Sequence, residues 1–135
     1  MHAVRKKAAA GASSADMTAL DRDILDEAKV RMIAERAART GGLCVVSFCD
    51  GKGTLLGILL RAGVRVRRYL SIEQDENARR VCRANYGGKH ALLAQNGLLF
   101  YEDARDLTIS DLRRLQCWPV DLLMGATPCN DLSGC

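Results

Sequence analysis

From Leu43 onward the chain alternates short apolar runs with longer stretches whose apolar residues recur every three or four positions, separated by glycines and acidic turn residues. That alternation predicts βαβ units and a parallel sheet. Strand one is expected at Leu43–Phe48, followed by a helix at about 54–62 closed by Gly63. Strand two is expected near 68–72, then a helix from about Asp75 to Asn85 stopped by Gly87-Gly88. Strand three falls near Leu98–Tyr101, a short helix at about 110–115, and strand four at 120–124 after Trp118-Pro119. Ahead of these lies a longer helical pattern. Thr18 with Asp21 makes a capping-box-like start, and Leu20, Ile24, Ala28 and Met32, with Leu25 and Ile33 beside them, form the stripe expected to be buried. Gly41-Gly42 ends it.

The pattern divides the chain into three parts: residues 1–17, a disordered basic arm; 18–42, an N-terminal helix; and 43–135, a partial α/β domain whose sheet pattern is truncated after the fourth strand. The length of 135 residues and the 48% apolar content suit one small α/β domain. Six cysteines, Cys44, Cys49, Cys82, Cys117, Cys129 and Cys135, include no Cys-x-x-Cys pair, and His2 and His90 lie far from all of them. Neither a metal site nor a disulfide framework is expected, and free thiols suit a reducing, intracellular setting. No apolar run approaches the roughly 18 residues of a membrane span. The net charge of +4 is too small to announce a nucleic-acid binder. Arg61, Arg65, Arg67 and Arg68, then Arg79, Arg80 and Arg83, read first as solvated surface. Arg5, Lys6 and Lys7 leave a nuclear signal and an organelle transit peptide both open.

Chemistry-bearing groups gather at the predicted strand ends, where open α/β sheets bind ligands. Strand one runs into Asp50-Gly51-Lys52-Gly53-Thr54, a glycine-bearing turn at a helix N-terminus. Glu73 follows Gly51 by twenty-two residues and ends strand two, the place from which a carboxylate accepts from ribose hydroxyls. Asp103 ends strand three. Beyond strand four stands Thr127-Pro128-Cys129, where the proline stiffens the entry to a thiol suited to nucleophilic attack. Lys52 reads as an exposed loop residue, Asp121 as structural, Cys44 and Cys82 as core, Trp118 as a packing anchor and Cys135 as without a role.

The run Val45-Val46-Ser47-Phe48-Cys49-Asp50-Gly51, with Arg68-Tyr69 and Glu73, resembles the first two motifs of DNA cytosine-5 methyltransferases. Asp103-Ala104-Arg105 resembles their third motif. Pro119-Val120-Asp121-Leu122 through Gly125-Ala126-Thr127-Pro128-Cys129-Asn130-Asp131-Leu132-Ser133 is similar to their catalytic fourth, and its Asn-Asp-Leu-Ser ending is similar to the animal de novo type. The resemblance covers about residues 43–133. It implies a Rossmann-like fold binding S-adenosylmethionine, with Glu73 on the ribose, Asp103 on the adenine amino group, and the loop Asp50, Gly51, Gly53, Thr54 under the methionine part. It also implies Cys129, presented by Pro128, as the nucleophile toward carbon 6 of a cytosine flipped from DNA. A nuclear location goes with that activity.

Two departures accompany the resemblance. Cys49 stands where the family carries an aromatic residue, and strand alternation turns Phe48 to the other face. The later motifs, with the acid that protonates the ring and the target-recognition region, have no counterpart among the 135 residues. The resemblance thus implies an N-terminal half, inactive alone and completed by a C-terminal methyltransferase segment, with strand four an uncovered edge. A non-catalytic regulator on the same fold and methylation of cytosine in RNA remain alternatives.

Overall fold

The computed structural model describes residues 26–88 and 90–125. Nine elements follow in order: α1 (Glu27–Thr40), β1 (Leu43–Phe48), α2 (Thr54–Arg61), β2 (Val66–Ile72), α3 (Glu76–Tyr86), β3 (Leu98–Tyr101), a 3-10 turn (Ala104–Asp106), α4 (Ile109–Arg114) and β4 (Leu122–Gly125). The four strands form one sheet in the order β3-β2-β1-β4, with every pairing parallel. This is the α/β architecture the apolar pattern predicts, with β1 at the point where the strand order reverses.

Strand β1 shows why its sequence is continuously apolar rather than alternating. Leu43 and Val45 join a core with Leu55, Leu56, Leu59, Val66 and Tyr69, whereas Cys44 and Val46 join a second core with Leu70, Ile72, Leu112 and Cys117. Both faces are covered, so both must be apolar. Helix α2 buries six consecutive residues, Leu55 to Leu60, in the first core. Helix α4 covers the other face through Leu112. Cys44 and Cys82 are fully buried, as their apolar surroundings suggest.

Several expectations are corrected. Among the described residues helix α1 begins at Glu27, because Asp26, with ψ at 160°, is extended and accepts from the Lys29 amide at 2.8 Å as its N-cap, so the expected helix does not run unbroken through Asp26. Its inward stripe is Val30, Ile33, Ala34 and Ala37, whereas Ala28 is exposed and Met32 is 65% exposed. Ile33 faces inward as expected, whereas Ala28 and Met32 do not, so the buried stripe is rotated around the helix from the expected one. Thr18, Asp21, Leu20, Ile24 and Leu25 lie outside the described residues. Strand β2 starts at Val66, earlier than expected, because a register shift pairs Leu43 with Val66 and Cys44 with Arg68, leaving Arg67 as the extra residue.

Strand β4 starts at Leu122 because Asp121 is occupied in anchoring it. The Asp121 amide donates to the Cys44 carbonyl at 2.8 Å, and its carboxylate accepts from the Cys44 amide at 2.8 Å and pairs with Arg36 at 2.7 Å. The structural reading of Asp121 holds. Trp118 anchors nothing in the core: it is 44% exposed, with the Arg113 guanidinium 5.9 Å from its ring. Among the described residues β4 pairs only with β1, and Leu123 on it is 63% exposed.

Candidate functional site at the carboxyl ends of the strands

Parallel pairing brings the ends of β1, β2 and β3 side by side. The Cys49 amide donates to the Ile72 carbonyl at 2.9 Å, and the Glu73 amide donates to the Tyr101 carbonyl at 3.1 Å. At Cys49 the backbone turns to a φ of 53°, a left-handed conformation uncommon for a residue with a side chain. Strand alternation therefore stops at Phe48, which packs into the second core.

Asp50 turns inward. It is 8% exposed, and its Oδ1 accepts from the Tyr69 hydroxyl at 2.6 Å and from Ser47 Oγ at 2.8 Å. Its carbonyl accepts from the Gly53 amide at 3.2 Å, closing the turn. Burial pushes the Asp50 carboxyl above the usual carboxylate range, against the pull of these hydroxyls. The Tyr69 phenol is pushed up by burial and by Asp50. Ser47 and Ser71 are register partners on adjacent strands, and Ser71 is also fully buried.

The two glycines of the turn do different things. Gly51 has a φ of 58° and nothing within 4 Å of where a Cβ would lie, so open space faces it. Gly53, at φ 83°, caps α2, and a Cβ there would meet Cys82 Sγ at 2.6 Å and the Tyr86 ring at 3.2 Å. Gly51 leaves room for a ligand, whereas Gly53 lets α2 pack against α3. Thr54 is the exposed first residue of α2, and Lys52 is exposed, as expected.

Glu73 meets this turn directly. Its Oε2 accepts from the Gly51 amide at 2.7 Å and its Oε1 from the Asp75 amide at 3.0 Å. Arg79 grips the same segment through the carbonyls of Glu73 at 2.6 Å and Gln74 at 2.9 Å. Beside it, an open cleft of about 630 Å³ is lined by Gln74, Phe100, Tyr101, Glu102, Asp103 and Asp106. Asp103 is held by Arg105, whose Nη2 lies 2.6 Å from Oδ2 and whose amide lies 2.9 Å from Oδ1. These bonds hold the Asp103 carboxyl down at about 2.

Asp50, Gly51, Gly53, Thr54 and Glu73 are thus brought together, with Asp103 on the neighbouring strand end. Pro128 and Cys129, with Thr127 and Cys135, lie outside the described residues. The last described residue before them, Gly125, pairs with Phe48, so β4 runs out next to the Asp50 turn. The sequence reading missed the Ser47, Tyr69 and Ser71 hydroxyls beneath that turn. Their signal was polar residues at register positions inside strands otherwise buried on both faces.

Among the described residues no group of three or more His, Cys, Asp or Glu side chains is placed to hold a metal, and no helix is long and apolar enough to cross a membrane. No protein-family model matches the chain.

Proposed function

We propose that the chain is the cofactor-binding half of a methyltransferase that moves a methyl group from S-adenosylmethionine to carbon 5 of cytosine in DNA. The observation that carries the reading is the 2.7 Å bond joining Glu73 to Gly51, which unites the carboxylate of one strand end with the glycine turn of the next. Each carboxylate oxygen has lone pairs beyond the one its backbone donor uses, so Glu73 can still accept from two vicinal hydroxyls. The open space over Gly51 and the cleft at Asp103 suit the rest of an adenosyl group. The strand order supports the same reading, since it reverses between β1 and β4, and open sheets take ligands outside the carboxyl ends of the strands at such a point. The motif resemblance supplies the substrate, DNA.

When bound, S-adenosylmethionine supplies an electrophilic methyl group. Glu73 orients the nucleoside, the Gly51 amide fixes the Glu73 carboxylate, and Asp103 meets the base edge once Arg105 gives way. Cys129 adds to carbon 6 of cytosine, which breaks the ring's aromaticity and makes carbon 5 nucleophilic, dividing one hard step into two. Protonation of the ring and base flipping fall to a complementary C-terminal segment.

The test is a covalent trap. Supplied with that segment and S-adenosylmethionine, the chain is expected to form an adduct with DNA containing 5-fluorocytosine, since fluorine cannot leave carbon 5 as a proton does. The adduct should vanish in Cys129→Ser and persist in Cys135→Ser. An adduct unchanged by Cys129→Ser, or no adduct from a complex that binds the cofactor, refutes the nucleophile and the activity.

A further inference from the structure

The arginines that read first as solvated surface gather at one end of the sheet. Parallel strands start together, so the first residues of β1, β2 and β4, with the last turns of α1 and α4, form a pole opposite the strand ends that carry Glu73 and Asp103. Arg65 and Arg67 pack on Gly42 there: a Cβ on Gly42 would meet Arg67 N at 2.9 Å and Arg65 Cγ at 3.2 Å. Arg68 donates from Nη1 to the Arg67 carbonyl at 3.2 Å and from Nη2 to Gln116 Oε1 at 2.7 Å. The Gln116 amide donates to the Arg113 carbonyl at 3.0 Å, and the Arg113 guanidinium stands beside the exposed Trp118 ring.

One chain of contacts thus joins Arg65, Arg67, Arg68 and Arg113, and among the described residues no carboxylate pairs with any of the four. The acids nearest them are engaged elsewhere. Asp121 holds Arg36 and the Cys44 amide, Asp111 holds Arg114, and Glu35 lies one helical turn before Arg39. The helix dipole accounts for basic residues in last turns, hence for Arg39, Arg113 and Arg114. It does not account for Arg65, Arg67 and Arg68, which stand in a loop and at the start of a strand buried from Tyr69 to Ile72. The described lysines, Lys29 and Lys52, lie toward the other end, in the first turn of α1 and in the Asp50 turn. A guanidinium presents a planar fork that matches two phosphate oxygens, which an ammonium does not.

We propose that this pole, formed by Arg65, Arg67, Arg68 and Arg113, grips the phosphate backbone of duplex DNA without reading its sequence, as a second contact remote from the Gly51 and Glu73 site. Phosphate recognition stands on the arginines alone, and the choice of DNA rests on the function proposed above. Strand β1 has six residues, so about 20 Å separates the two ends of the sheet. A duplex held at the pole leaves the cofactor edge open. That edge carries Glu73, Glu102, Asp103 and Asp106, which repel a polyanion, so the described surface draws DNA to the arginine end.

The test is binding of a short labelled duplex of mixed sequence to the full chain, without cofactor, as salt is raised. Four phosphate contacts give log affinity a slope of about −3.6 against log salt, roughly a hundredfold loss between about 50 and 200 mM. The basic residues Arg5, Lys6 and Lys7 can steepen the native slope, so the readout is the change made at the pole. Arg65→Gln, Arg67→Gln and Arg68→Gln together should flatten the slope by about 2.7. Arg65→Gln with Arg113→Gln, both on exposed residues, should flatten it by about 1.8, and a urea midpoint shows that each variant is folded. Lys29→Gln with Arg80→Gln removes two exposed charges from the other end and should leave the slope as it is.

No binding by the native chain, an unchanged slope in the folded pole variants, or equal flattening by the Lys29 and Arg80 pair overturns the proposal. Displacement of the duplex by poly-glutamate as readily as by unlabelled duplex overturns phosphate recognition and points to an acidic protein instead. A chain that binds DNA in this way and does not bind S-adenosylmethionine keeps the arginine pole and fails the cofactor reading, so the two are decided separately.

Discussion

Glu73 and Asp103 close neighbouring parallel strands, and both are carboxylates facing the same edge of the sheet, yet they are held by different means. Glu73 is gripped by two backbone amides, Gly51 and Asp75, which cannot swing away without unmaking the turn and the start of α3. Asp103 accepts a single backbone amide, that of Arg105, and is otherwise gripped by the Arg105 guanidinium, which is 83% exposed and free to leave at the cost of a surface ion pair. One carboxylate is built into the scaffold, and the other is covered by a removable group. The sheet edge therefore has a rigid half, at β1 and β2, and an adjustable half, at β3. A ligand's ribose would meet the first and its base the second.

The largest expected effect on this comparison is at Gly53. An alanine there must adopt a φ of 83° and push its Cβ into Cys82 Sγ, so the rigid half should lose its seat on α3. Left-handed strain and overpacking together should cost roughly 2–4 kcal/mol, read as a lowered urea midpoint. Gly51→Ala meets the same backbone strain in open space and should cost less. Equal losses at the two glycines would mean that φ alone, and not the α2–α3 contact, sets the requirement.

A smaller effect separates the halves by pH. Burial raises the folded-state pKa of Asp50, so its contribution to stability is present below the ordinary carboxylate range and is lost as pH rises through its elevated midpoint. Asp103 is depressed to about 2 by Arg105, so its contribution is present above the ordinary carboxylate range and is lost as pH falls toward 2. Urea midpoints measured across pH should slope in opposite directions in the two windows. Asp50→Asn should flatten the upper slope alone, and Asp103→Asn should flatten only the Asp103 share of the acid slope, because Asp111, held at about 2 by Thr108 and Arg114, loses stability in the same window. A single slope affected equally by both variants would erase the distinction.

The smallest effect is expected at Arg105. Arg105→Ala uncovers Asp103 and should raise adenosine affinity a few-fold, since removing an exposed ion pair is worth at most about 1 kcal/mol. A fall in affinity would make Arg105 part of the binding surface rather than its cover.

How much of this was legible in the sequence depends on whether the cause was local. Strands β1 and β3 were readable to the residue because burial on both faces, or a short bounded apolar run, leaves its mark directly in composition. The turn at Asp50–Thr54 and the spacing to Glu73 were readable because glycines and a strand-end carboxylate are local signals. The phase of α1 was readable only at Ile33: Ala28 and Met32 share a helical face as convincingly as Val30, Ala34 and Ala37, and only packing against the core chooses between them. The role of Gly53 was hidden for the same reason, since Cys82, twenty-nine residues away, sets it. Strand β4 was misplaced because the apolar Val120 continues its run, whereas the tertiary bonds of Asp121 to Cys44 and Arg36 decide where pairing starts. Arg105 over Asp103 was a motif in sequence and an ion pair only in space.

We propose that the rigid half of this edge holds the ribose of S-adenosylmethionine through Glu73. Calorimetry of the native chain and Glu73→Ala with S-adenosylmethionine tests it most directly, with a urea midpoint for each to separate binding from folding. A charge-assisted bond to a hydroxyl is worth roughly 1.5–3 kcal/mol, so Glu73→Ala should bind about ten- to a hundredfold more weakly while remaining folded. Equal affinities for the two folded proteins would mean that Glu73 does not hold the ribose.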